Sequence, residues 1–126
     1  MFIRFTANPK NETNDCAIRS FAKAEGKDWE EVAKEFFEIA LENYLMPNDL
    51  FVASEYAKKH GYTEEYVYPD SPVTIDQFTR QPHIGERFVA LVEDDEGGHA
   101  VSIINSDYYD LVNSGHMNIC QYWIIK

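Results

Sequence analysis

A change of hydrophobic period halfway along the chain is the strongest constraint on its fold. Up to about residue 60, apolar residues recur at helical spacing. After about residue 87 they cluster in short runs of β-branched and aromatic residues. The stripe Trp29, Val32, Ala33, Phe36 and Ala40 marks an amphipathic helix, with Phe37, Leu41 and Tyr44 widening its apolar face. Asp28, three residues before Glu31, predicts a capping box at its start. An earlier helix is predicted from Cys16 to about Glu25, capped by Asn14-Asp15 and stopped by Gly26, with Ala17, Ile18, Phe21 and Ala22 as its core face. Met46-Pro47-Asn48-Asp49 ends the second helix and caps a third. That third helix presents Leu50, Ala53, Ser54 and Ala57 on one face and ends at Gly61.

In the second half, Tyr66-Val67-Tyr68 is a short extended piece, and Thr74 caps a single helical turn to Thr79. Strands are predicted over 87–92, 99–104, 108–112 and 118–125. Helices followed by adjacent strands predict an α+β fold, with N-terminal helices packed on a mainly antiparallel sheet of about four strands. The chain has 126 residues, no internal repeat and no Pro/Gly/Ser linker, so one domain over 1–126 is expected.

The formal net charge of −11 excludes a basic nucleic-acid footprint, which needs clustered Lys and Arg. The acid excess lies mostly in residues 64–126, where 11 acids face 3 bases. The densest run, Glu93-Asp94-Asp95-Glu96, reads as a solvated loop before Gly97-Gly98. No apolar run is long enough to span a bilayer, so no membrane association is expected. The N-terminus lacks a signal-peptide layout, and a cytoplasmic protein with free thiols at Cys16 and Cys120 is the expectation. A Cys16–Cys120 disulfide is the alternative. His60, His83, His99 and His116 have no close ligand spacing, and neither cysteine belongs to a C-x-x-C pair, so no metal or cofactor is expected.

Cys16 carries the chemistry. It is the first residue of its helix, where the positive end of the helix dipole lowers a thiol pKa. It shares a face with Arg19, Ser20 and Lys23 rather than with the core face. Cys120, between Ile119 and Trp123, reads instead as a buried structural cysteine. His99 follows Gly97-Gly98 at the head of a strand. A two-residue Asn105-Ser106 turn would pair Ile104 with Asp107 and Val101 with Asp110, leaving His99 and Asp110 as diagonal neighbours on one face. A three-residue loop would turn Asp110 to the other face, with Asp107 or Asn105 as alternative partners.

The motif Asn14-Asp15-Cys16-x-x-Arg19-Ser20, followed by helices and then by Gly98-His99-Ala100-Val101 and Tyr109-Asp110, resembles the papain-like cysteine peptidase superfamily. The outline is closest to the small single-domain members of bacteriophages and bacteria, such as bacteriocin-processing peptidase domains. The resemblance implies a papain-like fold, with Cys16 as nucleophile, His99 as general base and acid, and Asp110 as the residue that orients it. Lys10 stands where that superfamily often has a glutamine oxyanion donor; Asn11 and Asn14 are the nearby amides that could replace it. The activity implied is a cysteine-nucleophile hydrolase, a peptidase, isopeptidase or amidase acting on a peptide or protein substrate as a monomer or weak homo-oligomer. The alternative is a non-catalytic binding module of the same type, such as a phage-encoded inhibitor of a host protein, whose acidic surface suits a basic partner.

Overall fold

The structure, a computed structural model, describes residues 1–10, 13–95 and 97–126. Ten elements follow one another: β1 (Phe2–Arg4), α1 (Cys16–Glu25), α2 (Trp29–Glu42), α3 (Leu50–Lys59), β2 (Thr63–Tyr66), α4 (Ile75–Thr79), β3 (Arg87–Asp94), β4 (Gly97–Ile104), β5 (Asp107–Asp110) and β6 (Asn118–Ile124). The strands form a single sheet in the order β1-β5-β4-β3-β6-β2.

The architecture is α+β, but the expected four-stranded antiparallel sheet is incorrect. The sheet has six strands and is mixed, because β1 runs parallel to β5. Both additional strands sit at the edges. β1 is only three residues long, and every residue of β2 is exposed, so neither carries the apolar alternation that marks a strand in sequence. Tertiary hydrogen bonding made them strands.

Two cores cover the two faces of the sheet. On one face, α1, α2 and α3 bury Phe21, Phe36, Val52 and Tyr56 against Val89 and Trp123. On the other, Ile75 of α4 closes over Phe88, Val92, Val101, Ile103, Tyr108 and Ile119. The helix boundaries follow the local signals: Gly26 ends α1 at φ 71°, and Thr74 and Gln77 form a reciprocal capping box at α4. Other local expectations fail. Asp28 makes no side-chain cap bond at α2. Phe37, Leu41 and Tyr44 stay exposed, and the buried stripe of α2 passes through Ile39 instead. In α3 the buried residues are Val52, Ala53, Tyr56 and Ala57, while Leu50 faces out. Of the acidic run, Glu93 and Asp94 are the end of β3, paired with Gly98 and Gly97 rather than looped; Glu96 lies outside the described residues.

The β4–β5 hairpin fixes the register that matters. Asn105 and Ser106 both take positive φ, 51° and 69°, the geometry that two-residue hairpin turns require. Ile104 therefore pairs with Asp107, Ile103 with Tyr108 and Ser102 with Tyr109. Continuing that register sets Asp110 on the same face as Val101 and diagonal to His99. β4 begins at Gly97, so His99 is its third residue rather than its first.

Candidate active site

Helix α1 lies across β4, β3 and β5, which carries Cys16 at its first turn to the end of the sheet where His99 and Asp110 emerge. The Nε2 of His99 donates to both carboxylate oxygens of Asp110, at 2.9 and 2.7 Å. Cys16 and His99 line one cavity, and His99 and the backbone N–H of Ala100 lie close enough to the Cys16 thiol to act on its ionisation. Since Nε2 is committed to Asp110, Nδ1 is the nitrogen left for the sulfur. The result is a Cys16–His99–Asp110 chain, each member from a different element.

Electrostatics favour the charged forms of all three. Burial alone would raise the Cys16 thiol, but the bond and charge of His99, the Ala100 N–H and the positive charge of Arg19 bring it below its ordinary value. Burial would lower His99, but the bonds and charges of Asp110 and Cys16 raise it to about 9. Burial opposes ionisation of Asp110 as well. His99, Ser114 and the Leu111 backbone amide overcome it and hold the carboxyl below the usual carboxylate range. These influences bias the pair toward a thiolate beside an imidazolium, the form in which a thiol acts as a nucleophile.

Asp110 is the most heavily supported of the three. Besides His99 it accepts from Ser114 Oγ at 2.8 Å, Leu111 N at 2.7 Å and Arg19 Nη2 at 3.3 Å, and it is 1% exposed. Asp107 is half-exposed and pairs instead with the N-terminal amine of Met1 at 3.4 Å. Arg19 is buried, bridging Asp15 and Asp110. Asp15 in turn accepts from Trp29 Nε1 at 3.1 Å, so its carboxylate is turned to α1 and α2 and makes no cap bond. The face of α1 bearing Cys16, Arg19, Ser20 and Lys23, polar by sequence, is therefore packed in its first two turns. Arg19 and Ser20 are buried, and Lys23 lies over the rings of Phe5 and Tyr109.

A cavity of about 410 Å³ opens beside Cys16 and His99, walled by Ala17, Leu50, Ala53 and Leu91. Cys120 also lines it, contrary to its expected place in the core. The pairing of β3 with β6 shifts register between Leu91 and Val92, so that Gln121 faces Leu91 and Ile119 faces Val92. Cys120 is the extra residue of this bulge and is turned out of the sheet pattern into the cavity. Both cysteines are free thiols, so the alternative disulfide is not formed.

Asn14 is exposed, sits at φ 59° and does not line the cavity; Asn11 lies outside the described residues. The amides that do line it are Asn48 and Gln121, and Gln121 is committed to Glu64 at 2.7 Å. Sequence reading missed Asn48, which sits far from Cys16 along the chain. It also gave no role to Arg19, although spacings of three and four residues from Cys16 and Asp15 put it on the same helical face. Ser114 had no signal at all.

Among the described residues, no group of three His, Cys, Asp or Glu side chains is arranged to hold a metal ion. No helix among them is long and apolar enough to cross a membrane. Comparison with family models, with curated proteins and with solved structures finds no match to this chain.

Proposed function

We propose that this chain is a thiol hydrolase that cleaves an amide or thioester through Cys16, His99 and Asp110. The observation that carries the reading is the placement of Cys16 and His99 on one cavity, with His99 hydrogen-bonded at 2.7 Å to a buried Asp110. The order of these residues, and their placement on a helix start and two neighbouring strands, also match the motif resemblance to papain-like cysteine peptidases.

The Cys16 thiolate attacks the carbonyl carbon, forming a C–S bond and a tetrahedral oxyanion. The backbone N–H of Cys16 at the start of α1 and the Asn48 amide, which lines the same cavity, are the oxyanion donors of this reading. His99 gives its proton to the leaving amine or thiol as the C–N or C–S bond breaks. A water, deprotonated by the same imidazole, then attacks the acyl-thioester and releases a carboxylic acid and the Cys16 thiol. Asp110 keeps the imidazole in one orientation and stabilises its positive charge.

Alkylation by iodoacetamide, read by mass spectrometry, tests this. Rapid modification of Cys16 that is lost in His99→Ala supports the hydrolase. Slow labelling at the rate of a free thiol, unchanged in His99→Ala, favours a non-catalytic binding module instead.

A further inference from the structure

Two cavities meet at His99. The one beside Cys16 has apolar walls, and its polar rim includes Glu93 and Asp49. The other, about 340 Å³, is bordered by Asp94, His116, Asn113 and Ser114. No lysine or arginine is among the described residues lining either. The positive charge of His99 is already balanced by Cys16 and Asp110. Glu93 lines the rim beside Cys120, the residue that the β-bulge turns into the cavity. Asp49 is fixed by accepting the Phe51 N–H at 2.9 Å as the cap of α3. Two carboxylates, one from β3 and one from the cap of α3, thus stand at the rim of a hole with apolar walls next to the nucleophile.

We propose that this cavity selects a basic side chain, Lys or Arg, of the substrate next to the bond that Cys16 attacks. The inference rests on the hydrolase reading and names its substrate class. A long aliphatic stem suits Leu50, Ala53 and Leu91, and a cationic head at its end reaches Glu93 and Asp49. An acidic side chain meets like charge with no cation to offset it, so the same groups reject it. A neutral aliphatic side chain fills the walls but leaves the rim carboxylates without a partner. The net charge of −11 draws a cationic peptide toward the site in the same sense.

The test uses peptidyl vinyl sulfones carrying Lys, Leu or Glu at the first or second residue before the warhead, with the rate of Cys16 modification as readout. The Lys probe should react about tenfold faster than the Leu probe, the factor for one partly desolvated ion pair, and the Glu probe slowest. Glu93→Gln should shrink the Lys-to-Leu ratio, and Glu93→Lys should bring the Glu probe ahead of the Lys probe. Equal rates for the three probes on a Cys16 that iodoacetamide labels quickly would overturn the basic specificity and leave the hydrolase standing. A Cys16 inert to iodoacetamide overturns both. Preference for Lys that survives Glu93→Lys would overturn the role given to Glu93.

Discussion

A thiol at a helix start is a weak signal alone; in the proposed hydrolase it is His99 beside Cys16 that would make the thiol reactive. With Cys16 lowered and His99 raised to about 9, the ion pair exists between those two limits. The alkylation rate of Cys16 should therefore rise on an acid limb below that of an ordinary thiol and change again near pH 9 as His99 deprotonates. Cys120 is pushed up by burial and by Glu93, so at neutral pH iodoacetamide should modify Cys16 well before it. Stability follows the same groups. The raised His99 contributes stabilisation that is complete below its unfolded value of about 6.5 and lost as pH climbs through about 9. The depressed Asp110 contributes stabilisation present above about pH 4 and lost as pH falls through its lower folded value. Urea denaturation across pH checks both signs. Asp110→Asn should slow turnover strongly, by up to about 10⁴ by analogy with amide-for-acid exchange in a serine triad. Asp107→Asn, at the N-terminal amine, should leave turnover intact. Arg19→Met would remove the buried guanidinium that bridges Asp15 and Asp110, a loss of about 3–5 kcal/mol in denaturant titration.

At the scale of elements, short-range geometry decides which side chains meet. The Asn105-Ser106 turn aligns β4 and β5, and the register is what puts Asp110 rather than Asp107 beneath His99. Beyond β5, the chain turns through Asn113-Ser114-Gly115 to return Ser114 to Asp110. Gly115 has no room for a side chain: a Cβ there would land on the Tyr108 hydroxyl and the Asp76 carboxylate, which are themselves bonded at 2.9 Å. Gly115→Ala should cost about 1–3 kcal/mol through overpacking, read as a lower urea midpoint. It should also slow Cys16 labelling as Ser114 is pulled from Asp110. The β6 bulge works the other way, turning Cys120 out of a strand and into the cavity.

Over the whole molecule, one aromatic cluster ties α1, the helix that begins at Cys16, to the sheet. Phe21 packs on Phe36, Tyr56, Tyr62 and Trp123, with ring centroids 5.0 to 6.2 Å away. Phe21→Ala should lower stability by about 3–5 kcal/mol, measured by thermal or urea unfolding, and loosen the Cys16–His99 contact with it. The sequence by itself determined what depends on neighbours within a few residues. The bounds of α1, stopped by Gly26, the cap at Thr74, the hairpin turn and hence the diagonal His99–Asp110 pair all follow from local chemistry. All four predicted strands also lie within two residues of their expected bounds, because they are rich in β-branched and aromatic residues. The tertiary structure alone decided the rest. β1 and β2 are strands because neighbours supply their hydrogen bonds, which no apolar pattern announces. Arg19 and Ser20 are buried because α1 is sandwiched between the sheet and α2, so a polar helical face was not an outer one. Asn48, Glu93 and Cys120 come together beside Cys16 only when α3, β3 and the bulged β6 converge, and side chains so distant in sequence share no spacing from which that meeting could be read.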